Sequence, residues 1–238
     1  MKSTKKLCLL VCLVLLSLSL ILTSCEDSDL PTPADSDLPE ILESITKTEW
    51  NAMISEVNFE NYTLDMTGRM TTYQGGVEVS VSDVNETIKV TSDKILIHVN
   101  AADTNSSATA EEDALFEGDL AQSQKNQFSW LFLTMLEQFD RFSFDAETTT
   151  YKLKNQVHIE DVMEGVLMSG DHYETFDVPT KIDMRNAEVT ISKDGKLLKF
   201  VCDYSQEMEM GSGIIVTVSG ETTWAFSNYG TTVITETK

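Results

Sequence analysis

The stretch 197-LLKFVCDYSQEMEM-210 alternates greasy and wet residues almost without interruption. Leu198, Phe200, Cys202, Tyr204, Met208 and Met210 fall on one side, and Lys199, Asp203, Ser205, Glu207 and Glu209 on the other. A period of two sustained over about 13 residues predicts a strand roughly 43 Å long with one apolar face. Upstream, 193-KDGK-196 predicts a type I′ hairpin, because Asp-Gly accepts positive φ angles. It joins the first strand to residues 181–191, where Ile182 and Met184 share a face and a phase shift at Asn186 brings Ala187, Val189 and Ile191 round. Downstream, Gly211, Ser212 and Gly213 turn the chain into 214-IIVTVSGETTWAF-226, with Ile214, Val216, Val218, Trp224 and Phe226 alternating. Long antiparallel strands with one apolar face make a single twisted sheet whose greasy side has to be covered. Gly220, mid-strand on that side, permits a sharp bend.

The same alternation occurs earlier in the chain. Tyr62, Leu64, Met66 and Met70 oppose Thr63, Asp65, Thr67 and Arg69. Gln74, Gly75 and Gly76 turn the chain, and Val77, Val79 and Val81 resume the pattern, with a phase slip near Asp83 that predicts a bulge. Ser92, Asp93 and Lys94 turn it again before 95-ILIHV-99, giving a three-stranded meander. Residues 101–113 read as a polar loop. Strand patterning returns over 148–160 and continues through 162–168. Two helices are available as cover. One runs from a capping box of Asp37 and Glu40, with Pro39 in its first turn, to about residue 57, carrying Ile41, Leu42, Ile45, Trp50, Met53 and Ile54. The other carries Phe128, Leu131, Phe132, Met135, Phe139 and Phe142 three or four apart. The expected fold is α+β, a single long, curved antiparallel sheet forming a half-barrel around these helices.

The chain opens with Lys2, Lys5 and Lys6 and an apolar run over residues 7–22, the layout of a secretory signal peptide. The sequence Leu22-Thr23-Ser24-Cys25 resembles the lipobox of bacterial lipoproteins. That resemblance implies cleavage between Ser24 and Cys25 and a diacylglyceryl graft on the Cys25 thiol. Each buried CH₂ of such a graft contributes about 0.8 kcal/mol, so two or more chains hold a water-soluble domain on a membrane. Residues 25–37, rich in Pro, Ser and acids, read as an extended tether reaching roughly 40 Å. The expected organisation is a signal peptide over 1–24, a tether over 25–37 and one domain over 38–238. The expected location is the outer side of the cell membrane, at the surface or in a periplasm.

Charge narrows the partners. Seventeen Lys and Arg stand against 39 Asp and Glu, a net charge of −22. Without the three leader lysines, 14 bases face 39 acids, a net of −25. Such a surface repels nucleic acid and anionic headgroups, so neither is an expected partner, and the domain is expected to be a monomer. Only His98, His158 and His172 are present, with no zinc-binding His-Glu-x-x-His, no nucleophile elbow and no phosphate loop. Cys8 and Cys12 depart with the leader, leaving Cys202 on the apolar face as a small inert hydrophobe, without a partner for a disulfide. The acids at 111–113, at Glu160, Asp161 and Glu164, and at Glu207 and Glu209 read as solvated charge. The chain is expected to be no enzyme and to need no cofactor or metal.

The order of lipobox, acidic spacer, helix, strand meander, central helix and long hairpins resembles the periplasmic carrier LolA and the mycobacterial lipoproteins of the LppX and LprG type. The ending, 189-VTISKDGKLLKFVCDY-204 through 226-FSNYGTTVI-234, has the manner of Gram-positive lipoproteins near that group. The resemblance implies a half-barrel whose concave face and helices enclose acyl chains, and it assigns no binding residue. The candidate ligand-facing side chains come from the pattern itself: Met66, Met70, Met184, Phe200, Tyr204, Met208, Trp224 and Phe226. Flexible thioethers suit a surface that repacks around variable greasy partners. Ordinary core packing accounts for the same residues. A lipid-binding lipoprotein and a solid-core envelope interaction module therefore both stand as readings of this sequence.

Overall fold

Alternation of side chains becomes ten strands in a computed structural model that describes residues 41–59, 61–103, 109–169, 172–210 and 213–234. The signal peptide with Ser24, Cys25, the tether and the Asp37–Glu40 capping pattern lie outside the described residues, as do Gly211 and Ser212. The elements in chain order are α1 (Lys47–Phe59), β1 (Tyr62–Gln74), β2 (Val77–Val90), β3 (Lys94–Asp103), β4 (Thr109–Glu117), α2 (Gly118–Leu136), a 3₁₀ turn (Phe139–Arg141), β5 (Phe142–Asp145), β6 (Thr150–Leu153), β7 (Val157–Ser169), β8 (His172–Ile191), β9 (Leu197–Met210) and β10 (Ile214–Ser227). The strands form one open sheet in the order β4-β3-β2-β1-β10-β9-β8-β6-β5, and β7 pairs with β8 alongside β6. Every pairing is antiparallel. The first and last strands meet in mid-sheet, with Leu64 opposite Phe226 and Met66 opposite Trp224. All these pairings lie within residues 62–227, so a chain beginning at residue 26 keeps the whole folded unit.

The sheet curls strongly, and α2 demonstrates it. That helix packs against β3 and β4 at one lateral end and against β7 at the other. On a flat sheet, β3 and β7 would be six strand spacings apart, roughly 29 Å. Yet Lys125 of α2 reaches the Ser92 carbonyl just before β3 and Trp130 reaches Asp161 of β7; five helical residues rise only about 7.5 Å, so the sheet wraps around the helix. Two glycines ease the bend. A Cβ on Gly220 of β10 would sit 2.2 Å from the Arg69 carbonyl oxygen, and one on Gly68 of β1 would sit 2.6 Å from that of Glu221. The strands close on each other there because neither residue has a side chain.

α1 starts later than its hydrophobic spacing predicts. Ile41 bridges to Ser192, and the Leu42 amide donates to the Ile191 carbonyl at 3.0 Å, so this segment runs extended beside the end of β8. The helix begins instead after Thr46. Its amide donates to Oε2 of Glu49 at 2.8 Å, while the Glu49 amide donates to Oγ1 of Thr46 at 3.3 Å. That reciprocal pair is the capping box; greasy residues upstream of it mimic helical spacing but serve the sheet edge.

Four other expectations shift. The polar stretch over 101–113 is not a loop throughout: β3 reaches Asp103, and β4 begins at Thr109 and pairs with β3 through Asn100 opposite Glu111 and Ala101 opposite Ala110. An edge strand with acids facing water carries too few apolar residues to announce itself. The bulge in β2 is not at Asp83 but at Val79, since Ser80 faces Thr72, Glu78 faces Tyr73 and Val79 is left over. The 193–196 hairpin has one left-handed residue, Gly195 (φ 82°). Its amide donates to the Ser192 carbonyl at 2.9 Å, giving a type I turn followed by a glycine bulge rather than type I′. The second helix ends at Leu136, with Phe139 in the 3₁₀ turn and Phe142 starting β5. The phase shift at Asn186 holds: its φ is 52°, and the β8–β9 register skips between Arg185 and Glu188.

Both helices lie on the concave side. Trp50 of α1 is fully buried and donates its indole Nε1–H to the Leu136 carbonyl at 2.7 Å. It meets the C-terminus of α2, where backbone carbonyls have no helical partner. The same indole packs on Phe139, Phe142 and Tyr151 at ring distances of 5.3–5.7 Å. One side chain thereby joins both helices to β5 and β6. No helix among the described residues is long and apolar enough to cross a membrane.

Candidate functional site

Register aligns the concave side chains in rows across the sheet. One row runs Glu86, Met66, Trp224, Phe200 and Val189 over β2, β1, β10, β9 and β8. Another runs Ser82, Met70, Gly220, Tyr204 and Met184. Where Gly220 leaves a gap in that row, Tyr204 leans across, and its hydroxyl lies 3.9 Å from Sδ of Met70.

The rows divide into two apolar clusters. The larger holds Met184, Phe200, Tyr204, Trp224 and Phe226, sealed by Trp50, Met53 and Ile54 of α1 and by Met135 and Leu136 of α2. Phe200 and Trp224 stack at 5.1 Å with their planes 14° apart, which is solid packing. The smaller holds Met70, Val84, Met163, Val178, Met208, Val216 and Val218. Met66 and Trp130 pack against both. All eight candidate side chains thus lie on the concave side. Seven are buried and Met66 is half-buried. Five sit in the closed cluster, and Met66, Met70 and Met208 lie at or beyond its border.

Polar groups occupy that border. Glu86 is only 7% exposed, and among the described residues no hydrogen bond or ion pair reaches its carboxyl. Burial pushes its pKa up to about 7, because the surroundings disfavour the charged form. It is close enough to Tyr204 that its charge disfavours the phenolate, in addition to the burial that already does. Ser82 and Gln206 are each 2% exposed, and Ser82 Oγ and Gln206 Nε2 have no hydrogen-bond partner. On α2, Ser123 Oγ and Gln124 Oε1 are buried in the same condition. An unmet buried polar atom costs about 1–3 kcal/mol, so these four atoms, Ser82 Oγ, Gln206 Nε2, Ser123 Oγ and Gln124 Oε1, call for water or a bound molecule. Neighbouring Trp130 donates Nε1–H to Asp161 of β7 at 3.2 Å. Lys125 donates to the Ser92 carbonyl at 2.8 Å, and these two contacts tie α2 to opposite ends of the sheet.

The reading by alternation missed Glu86, Ser82 and Gln206 because it gathers greasy residues. The signal was nonetheless present. Gln206 stands in phase between Tyr204 and Met208, and Ser82 and Glu86 stand in phase with Val84, Ile88 and Val90. A polar residue in the apolar phase of a strand is itself the clue.

His98 contacts Asp113 at 2.6 Å, and His158 contacts Asp183 at 2.9 Å and Glu160 at 3.5 Å, all on exposed ground. The hydrogen bonds to Asp183 and Glu160 raise the His158 pKa. Cys202 is fully buried, and burial followed by the charge of Asp203 raises its thiol far above the ordinary range, removing it as a nucleophile at neutral pH. Among the described residues, no three His, Cys, Asp or Glu side chains gather as metal ligands.

No protein-family model and no curated protein matches the chain. Among solved structures, it is similar to a LolA superfamily protein from Nitrosomonas europaea at 11% identity, covering 81% of this chain and 96% of that one, with a TM-score of 0.19. A score that low carries no argument.

Proposed function

We propose that this protein is a membrane-anchored extracytoplasmic lipoprotein, non-catalytic, that binds a lipid or other acyl-chain ligand between its sheet and α2. The observation that carries the reading is the divided concave face. One part is packed solid by stacked aromatics; the other is lined by methionines and valines and bordered by buried polar groups without partners. A protein needing only a core gains nothing from leaving Ser82 and Gln206 unsatisfied, whereas a carrier completes them when loaded. The anchor is supported by the basic start, apolar run and Leu22-Thr23-Ser24-Cys25, and the tether by residues 25–37. At a net charge of −25, attraction to an anionic bilayer is excluded, so attachment falls to the acylated Cys25.

Two measurements test this reading. Intact mass of the native protein is expected to show an N-terminus at Cys25 carrying acyl chains; a leader still attached to a bare thiol would overturn the anchor. Solvent extraction of the protein expressed from residue 26 onward is expected to release lipid, and a clean extract would favour a solid-core interaction module instead. The stacked Phe200–Trp224 pair is the observation on that second reading's side.

A further inference from the structure

We propose that the outer half of the β7–β8 hairpin is the moving part of this fold: it swings away from α2 about Pro179 and uncovers the methionine cluster, the route by which an acyl-chain ligand enters. The inference rests on the carrier reading and adds to it where the fold opens.

Backbone donors locate the hinge. The β8–β9 pairing stops at Thr180, opposite Met208, while β7 and β8 stay paired from Val162 opposite Pro179 to Ser169 opposite His172. Past that point residues 163–169 and 172–178 form a two-stranded ribbon, roughly 23 Å long, that β9 no longer holds. Pro179 explains the stop. The Val162 amide donates to Oδ1 of Asp161 at 2.8 Å, so it points to the outer edge of β7. Opposite residues of an antiparallel pair aim their amides either at each other or both away. The nitrogen of Pro179 therefore faces β9, and it has no hydrogen to give.

The latch is as well defined. α2 is pinned at both ends: the Gly118 amide donates to the Asp93 carbonyl at 3.1 Å, Lys125 donates to the Ser92 carbonyl, and Trp50 caps Leu136. Its seam with β7 is weaker. Among the described residues one hydrogen bond crosses it, from Trp130 Nε1–H to Oδ2 of Asp161 at 3.2 Å, on exposed ground. Asp161 thus holds the hinge amide with one oxygen and the helix with the other. At the base of the ribbon, Met163 faces Val178, both buried, and both belong to the cluster of Met70 and Met208. An outward swing removes one wall of that cluster and leaves the stacked Phe200 and Trp224 in place. A segment joined to few neighbours through one exposed contact opens locally at far lower cost than the whole fold.

The test uses the chain from residue 26 and two readouts. In amide hydrogen exchange without ligand, Asp161→Ala and Trp130→Phe are expected to speed exchange of peptides over 163–178 about five-fold, the worth of one hydrogen bond, with β9 and β10 unchanged. Pro179→Val, which restores a donor toward β9, is expected to slow it. In stopped-flow mixing with the dye N-phenyl-1-naphthylamine, the two latch variants are expected to take up and release dye about five-fold faster, at an affinity within about two-fold of the parent. Asp161→Asn keeps the acceptor and is expected to keep the parent's rates; with Trp130→Phe it serves should Asp161→Ala fail to fold. Exchange over 163–178 unmoved by the latch variants, acceleration spread equally over β9 and β10, or dye rates unchanged would overturn the proposal. Failure of the dye to bind at all would instead remove the carrier reading, and with it the ligand route, while the exchange data still decide whether the hairpin opens.

Discussion

Tyr204 and Met70 belong to strands that are not neighbours, yet the tyrosine hydroxyl lies 3.9 Å from the methionine sulfur across the gap at Gly220. The contact depends on the absence of a β-carbon. Gly220→Ala would put that carbon 2.2 Å from the Arg69 carbonyl, against backbone that cannot rotate away. The expected loss is about 3 kcal/mol in urea unfolding, at the upper end for overpacking. Gly68→Ala, at 2.6 Å from the Glu221 carbonyl, is expected to lose somewhat less. A neutral Gly220→Ala would mean the sheet is not tightly bent there.

Glu86 makes stability depend on pH. Its folded pKa, about 7, stands above the ordinary 4.5, so between these values the folded state holds a proton that the unfolded state has released. Stability is therefore full below pH 4.5 as far as this group is concerned, falls as pH rises to about 7, and stays low above it. The span is of order 3 kcal/mol. Glu86→Gln is expected to be the more stable protein at pH 8, with the difference vanishing by pH 4.5. Parallel stability curves for the two proteins would show that Glu86 titrates normally.

Trp50 is the pin between helices and sheet edge. Trp50→Phe keeps much of the packing but strands the Leu136 carbonyl, for an expected loss of about 1–3 kcal/mol. Trp50→Ala removes the ring contacts as well and is expected to lose about 3–5 kcal/mol. Equal losses in guanidinium unfolding would show that the ring contacts add nothing, and no loss in Trp50→Phe would show that the hydrogen bond contributes nothing.

Cys202 is expected to resist a disulfide-exchange reagent at pH 8 in the folded protein and to react at once in guanidinium, since it is fully buried and its thiolate is strongly disfavoured. Rapid reaction in the folded state would place it on an accessible face.

Much of this fold was legible in strand phase. The long hairpins of β8, β9 and β10, the first meander and the phase shift at Asn186 follow from side chains alternating over more residues than chance allows. What escaped has physical reasons. β4 escaped because an edge strand with wet outer residues looks like a loop, and the start of α1 was hidden by Ile41 and Leu42, which face a sheet edge. That the eight apolar candidates share the concave face was legible in strand phase. The polar residues among them were not, because Ser82 and Gln206 stand out through the partners they lack, which only packing in three dimensions reveals.

The most direct test of the central claim, an acyl chain lodged against the methionine cluster beneath α2, is tryptophan quenching by a brominated monoacylglycerol. Three variants of the chain from residue 26 each keep one of Trp50, Trp130 and Trp224, with the other two changed to Phe. Trp130, packed against both clusters, is expected to be quenched strongly; Trp224, stacked on Phe200, weakly; and Trp50, enclosed between α1 and Phe139, Phe142 and Tyr151, not at all. Absence of quenching at Trp130 would contradict the account.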